Sequence, residues 1–230
     1  MASSSNFHRR IRSFVRREGR LTAGQARALE TLWPRFGLDA GGAKLDFARI
    51  FGRTAPVILE IGFGNGESLA VIAENHPQNN YIGIEVHRPG VGSLLLRLEE
   101  REIGNVRVMC HDASEVVSSQ IPDESLDTVY LFFPDPWPKK KHHKRRLIQA
   151  SFVQLLRKKL KVGGRFHMAT DWKDYAEHMM AVMTGADGFT NVAGEGNYSA
   201  KPEYRPETKF ERRGLNKGHG VWDLVFLRES

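Results

Sequence analysis

A glycine-rich turn follows the first predicted strand of the chain. Gly62, Gly64 and Gly66 alternate with other residues directly after an apolar run, and glycines between a strand and a helix let the backbone approach a ligand closely. This spacing differs from the Gly-x-Gly-x-x-Gly of dinucleotide sites, because Glu67 stands where the third glycine is needed. Glu60, two residues before the first glycine, would repel a pyrophosphate and attract a cation or a hydroxyl group. The turn therefore favours a ligand such as S-adenosylmethionine, which carries an amino group and a sulfonium but no phosphate.

Two further carboxylates follow the next two predicted strands. Glu85 ends the second strand, and Asp112 comes directly after the third. Because the carboxyl ends of parallel strands meet at one edge of a doubly wound sheet, we expect both to line one pocket with Glu60. Glu85 is expected to accept hydrogen bonds from both ribose hydroxyls, and Asp112 from the exocyclic amine of adenine. Three acids in register with the glycine turn predict a nucleoside site more strongly than any one of them does.

The fourth predicted strand ends in a proline-rich segment. Pro134, Pro136 and Pro138 stand within five residues and fix an extended, rigid backbone. We expect this backbone to present Asp135 and Trp137 at the mouth of the pocket. An indole can stack on a base, and a carboxylate can accept hydrogen bonds from the base's Watson–Crick edge. The segment therefore predicts the recognition of a nucleobase.

The net charge of +7 is concentrated in two basic blocks. Residues 1–20 carry six Arg against one Glu, and residues 139–146 carry six Lys or Arg and no acid, so the rest of the chain has a net charge of −4. Two such blocks on a mildly acidic body indicate a polyanionic partner, with nucleic acid the first candidate and a solvated charge run the alternative. His142 and His143 lie among cations that would repel a metal ion, so no metal site is predicted.

Short apolar runs alternate with segments of helical period from Pro56 onward, which is typical of a parallel sheet covered by helices. Residues 193–220 break this pattern and are predicted to form a long functional loop. We expect residues 1–55 to form a basic arm with a helical extension, and residues 56–230 the main domain. The predicted strands are 57–61, 81–86, 106–110, 126–133, 164–170, 188–192 and 221–228, and the predicted helices are 67–75, 90–101, 144–160 and 172–184.

Two features of the sequence bear on the cellular compartment, the length of its apolar runs and its single cysteine. No apolar run approaches the roughly 20 residues that cross a bilayer, so no membrane association is predicted. The single cysteine, Cys110, lies in an apolar run and is interpreted as a buried strand residue. Both features suit the cytoplasm. Residues 1–20 are also rich in Ser and Arg, and a mitochondrial transit peptide therefore stays open as an alternative.

Five motifs together resemble the bacterial tRNA (guanine-N7)-methyltransferase family. They are residues 60–66, 85–90, 133–140 with the basic run that follows, 169–171 and 208–211. The resemblance covers essentially the whole chain, without a departure at any motif position. It implies an α/β, Rossmann-like class I methyltransferase fold, with a seven-stranded, mostly parallel sheet, an antiparallel last strand and helices on both faces. It also implies methyl transfer from S-adenosylmethionine to N7 of a guanine in the variable loop of tRNA, which gives 7-methylguanosine.

The resemblance assigns roles to individual residues. The residues implied to bind the methyl donor are Glu60, Gly62, Gly64, Gly66, Glu85, Asp112 and Asp135. Those implied to contact the substrate are Lys139, Asp171, Thr208, Lys209, Phe210 and Glu211, and those implied to contact RNA are Lys141, His142, His143, Lys144, Arg145 and Arg146. tRNA is the expected partner of a monomer or homodimer.

The chemistry of N7 limits what a catalytic residue must do. This ring nitrogen has an in-plane lone pair and loses no proton when it attacks, so no strong general base is required. Catalysis is expected to rest on alignment and on negative charge near the purine as it becomes positive. Asp135 is therefore the candidate catalytic residue, as an orienting and electrostatic group.

Other functions remain as alternatives. An exocyclic-amine RNA methyltransferase would carry Asn/Asp-Pro-Pro-aromatic after the same strand, whereas Asp135-Pro136 is followed directly by Trp137. A non-catalytic RNA-binding protein would have no reason to keep the glycine turn and its acids. A dehydrogenase is disfavoured by the glycine spacing and because Tyr175 is followed by Met179 in place of the lysine of a Tyr-x-x-x-Lys pair.

Overall fold

A seven-stranded sheet forms the centre of the protein, described here from a computed structural model over residues 13–14, 19–207, 211 and 220–229. The strand order is β3-β2-β1-β4-β5-β7-β6; β1 to β5 are parallel, and β7 is antiparallel to both of its neighbours. The predicted fold class is confirmed. The strands are β1 Val57–Ile61, β2 Asn80–Ile84, β3 Val106–Met109, β4 Leu126–Phe132, β5 Leu160–Thr170, β6 Phe189–Asn191 and β7 Trp222–Arg228.

Helices cover both faces of this sheet. Alternate residues of β1 face opposite sides: Leu59 packs in the core under α6, α7 and α8, and Ile58 in the core under α1, α4 and α5. Among the described residues, the helices are α1 Ala23–Thr31, α2 Trp33–Phe36, α3 Phe47–Phe51, α4 Glu67–Asn75, α5 Arg88–Glu100, α6 Ala113–Ser119, α7 Ala150–Lys159 and α8 Lys173–Thr184, with a 3₁₀ helix at Lys140–Arg145. None of the described helices is long and apolar enough to cross a membrane.

The segment before β1 packs on the edge of the sheet. Helix α1 begins with a capping box, in which the hydroxyl of Thr22 accepts from the backbone N–H of Gln25 while the Gln25 side chain accepts from the N–H of Thr22. The Gln25 amide also donates to Ser93 on α5. Leu38 then donates its N–H to the carbonyl of Val108 on β3 at 2.9 Å. The domain boundary at residue 55 stays a prediction.

The predicted helix at 144–160 is wrong over residues 144–149 and confirmed over 150–159. The chain forms the 3₁₀ helix, then an extended stretch in which Arg146 has φ −56° and ψ 135°, and only then α7. The side-chain amide of Gln149 donates to the backbone carbonyls of His143 and Arg146. These carbonyls therefore have hydrogen-bond partners although the chain here is not α-helical. Leu160 opens β5 opposite Leu126, so this strand begins four residues earlier than predicted.

Candidate active site

Five strands end at the same edge of the sheet. In the register Ile61 lies beside Ile84, Ile84 beside Met109, and Phe132 beside Ala169, so the carboxyl ends of β1 to β5 are level. The predicted residues at or just beyond these ends therefore lie along one edge of the sheet, which is the edge where doubly wound folds bind ligands. They are Glu60, Glu85, Asp112, Asp135 and Asp171.

The glycine turn after β1 is held in a left-handed conformation. Gly62, Gly64 and Gly66 have φ of 73°, 59° and 73°, which glycine adopts without strain. A Cβ atom on Gly66 would lie 2.6 Å from Leu94, whereas one on Gly62 or Gly64 would meet no heavy atom of the described part of the chain within 4 Å. Gly66 is therefore fixed by packing against α5, and the other two border open space that a ligand can enter.

Glu85 is fixed beneath this turn by backbone donors. Its Oε2 accepts from the N–H of Gly64 at 2.9 Å, and its Oε1 accepts from the N–H groups of Val86 and His87 at 2.7 and 3.0 Å. Because each carboxylate oxygen can accept more than one hydrogen bond, Glu85 keeps the capacity to accept from ribose hydroxyls.

Glu60 is buried without a complete set of partners. It is 2% exposed, and among the residues that the structure describes its Oε2 has no hydrogen-bond partner. Burial, reinforced by the charge of Glu85, raises the pKa of Glu60 to about 8. An unsatisfied buried carboxyl is costly, and a cationic ligand group near the two carboxyls would relieve that cost. The amino group of S-adenosylmethionine fits this requirement.

Asp112 caps a helix that was not predicted. Its Oδ1 accepts from the N–H of Ser114 at 2.8 Å at the first turn of α6. It also lines a cavity of about 330 Å³ that it shares with the basic block. The other lining residues are Ser13, Ser114, Lys144, Arg145, Arg146, Leu147, Gln149, Ser151, Phe152 and Leu155.

Asp135 lies on an exposed turn between two strained residues. Phe133 and Trp137 have φ of 52° and 47°, a left-handed conformation that is unfavourable for bulky side chains. The N–H of Phe133 donates to the carbonyl of Ala169 on β5 at 2.8 Å, which holds the start of the turn. Such strain, kept by surrounding contacts, is common where a functional group must be presented in one orientation.

The indole of Trp137 packs against the basic block. The guanidinium of Arg145 lies 4.1 Å from the ring centroid, His142 meets the ring edge-on, and Nε1 donates to the carbonyl of Ser13 at 3.0 Å. Arg145 also donates to the carbonyl of Phe14 at 3.2 Å. One face of the indole is therefore covered, and the idea that Trp137 stacks on a base stays a prediction.

The basic block divides into an exposed and a buried part. Lys139, Lys141 and Lys144 are exposed, and His142, His143 and Arg145 are partly buried. Arg146 differs from the prediction, because its side chain is 1% exposed and lies over the ring of Tyr175.

The guanidinium of Arg146 is engaged by protein groups. It donates to the carbonyl of Pro136 at 3.0 Å, to Nε2 of His143 at 3.1 Å and to the carboxylate of Asp174. In this structure it joins the proline-rich turn to the first turn of α8, and its buried guanidinium is bound by protein groups.

The remaining predicted substrate residues are placed differently from one another. Asp171 is exposed directly after β5. Thr208, Lys209 and Phe210 lie outside the described residues. Glu211 is 3% exposed and both of its oxygens are bound by Arg205, at 2.8 and 2.9 Å. A direct contact between Glu211 and substrate stays a prediction, and the structure gives this carboxylate a buried partner.

Sequence reasoning missed the residues around Glu211. Arg205, Asp223, His167 and Tyr204 form a hydrogen-bonded network with it. A signal was present, because His167 and Asp223 are polar residues inside the apolar runs of β5 and β7, and buried polar groups require partners.

Comparisons with known proteins agree with this arrangement. Residues 54–224 match a family described as putative methyltransferase. The chain is 60% identical to a tRNA (guanine-N(7)-)-methyltransferase of Hydrogenovibrio crunogenus, over 96% of this chain and 92% of that protein. It is 61% identical to a protein of the same name from Alkalilimnicola ehrlichii, over 100% and 97%.

A solved structure shares the fold. It is a variant of the 16S rRNA (adenine(1408)-N(1))-methyltransferase from Catenulisporales acidiphilia with its cosubstrate S-adenosylmethionine. The TM-score is 0.55 at 14% identity, over 82% of this chain and 93% of that one.

Proposed function

Because the chain belongs to the tRNA (guanine-N(7)-)-methyltransferase family, we propose that it transfers a methyl group from S-adenosylmethionine to N7 of a guanine in the variable loop of tRNA. The product is 7-methylguanosine. The names of the relatives favour this ring nitrogen over an exocyclic amine, and favour catalysis over simple RNA binding.

The observation that carries the proposal is the buried, unpaired oxygen of Glu60 near the anchored carboxylate of Glu85. In our proposal Glu60 binds the amino group of the methyl donor, Glu85 its ribose hydroxyls and Asp112 its adenine amine. Gly62 and Gly64 leave room for the ligand to approach the backbone. S-adenosylmethionine, when bound, supplies a methyl group activated by its sulfonium.

Asp135 acts on the acceptor. Its turn leaves the sheet between the donor site and Asp171, and the strained residues on either side hold it in one conformation. A carboxylate placed in advance near the purine orients N7 toward the methyl group and stabilises the positive charge that develops on the ring. It accepts no proton, because N7 has none to lose.

The exposed lysines of the basic block bind the RNA backbone. Lys139, Lys141 and Lys144 follow the Asp135 turn directly, so binding of phosphates places the target base beside the turn. Arg146 supports this surface from behind by holding Pro136 and Asp174 together. Action as a monomer or homodimer in the cytoplasm, without a metal, stays a prediction.

Methyl transfer to unmodified tRNA tests the proposal. We expect the wild-type protein to transfer a labelled methyl group, and Asp135→Asn to bind the donor normally but to react at least 100-fold more slowly, the usual scale for loss of an electrostatic catalytic group. Asp187→Asn, an exposed aspartate after the far end of α8, is the matched control. A wild-type rate in Asp135→Asn would remove Asp135 from the mechanism, and a wild-type protein without transfer would refute the function.

A further inference from the structure

Arg205 was not among the predicted site residues, but it lies at the centre of a buried network that includes Glu211. It is 1% exposed. Its guanidinium donates to both oxygens of Glu211, and also to both oxygens of Asp223, at 2.7 and 2.9 Å. Two bidentate pairs fix the orientation of this guanidinium. A lysine ammonium could not form such paired hydrogen bonds.

The network connects the loop after β6 to the sheet. Asp223 lies on β7 and accepts from Nε2 of His167 on β5 at 2.8 Å, and Nδ1 of His167 accepts from the hydroxyl of Tyr204 at 2.9 Å. Burial lowers the pKa of His167, so this ring is neutral. Burial alone would raise the pKa of Asp223, but hydrogen bonds from His167 and Arg205 hold it below its usual range.

Among the described residues, the charges of the network are balanced. Arg205 faces the carboxylates of Asp223 and Glu211, and the ammonium of Lys201 lies 3.8 Å from Glu211. Removing one member of such a buried set leaves a charge unpaired, which is strongly destabilising. The pairing therefore fixes where Glu211 lies relative to the sheet.

Arg205 also contacts the residues that support the Asp135 turn. Its guanidinium carbon lies 5.6 Å from the ring centroid of Phe133 and 6.0 Å from that of Phe132. Phe133 is the left-handed residue two positions before Asp135. One guanidinium thus joins the base of the catalytic turn to Glu211, the last residue of the predicted substrate motif.

We propose that Arg205 is a positioning residue, which holds Glu211 and the base of the Asp135 turn in one fixed arrangement. In this arrangement Glu211 acts through Arg205 and does not itself touch the guanine. The inference rests on the proposed function and adds to it a residue that acts through others.

Arg205→Lys tests this inference because it keeps the charge and loses the paired geometry. The rate is measured as total methyl transfer to tRNA, in a single turnover at saturating tRNA and donor, and divided by the number of donor-binding sites. This division removes unfolded protein from the result. We expect a rate per site at least tenfold below wild type, with the donor Kd within twofold.

The matched control is Arg228→Lys. Arg228 is the last residue of β7, at the opposite end of the strand from Asp223. Arg228 is also largely buried, donates to the carbonyl of Leu160 and pairs with Glu124 at 2.7 Å. We expect its rate per site to stay within twofold of wild type. A wild-type rate per site in Arg205→Lys would overturn the inference, as would an equal loss in both variants.

A second variant decides the question if Arg205→Lys does not fold. Asp223→Asn weakens the hold on Arg205, keeps an acceptor oxygen for His167 and leaves Glu211 unchanged. A rate per site at least threefold below wild type supports the inference, and a wild-type rate overturns it. Because total transfer is measured, methyl found on another atom refutes the proposed function without affecting this comparison.

Discussion

Replacing Glu60 with glutamine exchanges one carboxyl oxygen for an amide NH2 group in the buried position near Glu85. The variant side chain cannot ionise. If Glu60 binds the amino group of the methyl donor as a carboxylate, binding must remove the proton that burial places on it. With a pKa of about 8, the carboxyl in the free protein is about 90% protonated at pH 7 and about half protonated at pH 8. Binding should therefore release about 0.9 proton per donor at pH 7 and about 0.5 at pH 8, beyond whatever the ligand itself exchanges.

Calorimetry in buffers of different ionisation enthalpy measures this release. Glu60→Gln serves as the reference, because its side chain has no proton to lose and the amino group of the donor, with an ordinary pKa of about 8, is already mostly protonated at pH 7. The difference between the two proteins at pH 7 therefore reports mainly on Glu60. Ionising Glu60 at pH 7 costs about 1.4 kcal/mol, or about tenfold in affinity. The donor affinity of wild type, relative to that of Glu60→Gln, should therefore increase as the pH approaches 8. Equal proton release in both proteins would refute the reasoning, because Glu60 would then bind the donor as a neutral group.

Three further predictions concern stability and RNA binding. In the ligand-free protein Glu60 has a raised pKa, so the folded state binds more protons than the unfolded state. The free energy of unfolding of wild type should therefore fall relative to that of Glu60→Gln as the pH rises from about 5 to 8, which urea denaturation can measure. Gly66→Ala should destabilise by about 1–3 kcal/mol in the same assay, because its Cβ would lie 2.6 Å from Leu94 in a left-handed residue; an unchanged midpoint would contradict this. Lys144→Ala should reduce the salt dependence of tRNA binding by about one ion without changing the melting temperature, whereas Arg146→Met should lower the melting temperature; the reverse pattern would show that Arg146 faces the RNA.

Much of the fold follows from local sequence pattern. The apolar runs that became β1 to β4 match the prediction within one or two residues, because strands buried on both faces need near-continuous apolar sequence. The same pattern places Glu60, Glu85 and Asp112 at consecutive strand ends. Their convergence on one edge then follows from the parallel arrangement alone.

The errors lie where long-range contacts decide the structure. Residues 144–149 have helical composition, but Arg146 pairs with Asp174, 28 positions away. The chain leaves the 3₁₀ helix at Arg146 and is extended there and at Gln149, ahead of α7. The roles of charged residues are equally hidden, since a sequence does not show that Arg205 meets Asp223 across 18 positions. An arginine in a basic block or loop is therefore assigned to the surface until its partners are known.

The product nucleoside tests the central claim most directly. Unmodified tRNA is incubated with the protein and the methyl donor, then treated with borohydride and aniline, which cleave the backbone only where guanine is methylated on its ring nitrogen. Our account predicts one cleavage, at a guanosine of the variable loop, that depends on the donor and is lost with Asp135→Asn. Methylated tRNA that resists cleavage, or cleavage outside the variable loop, would contradict it.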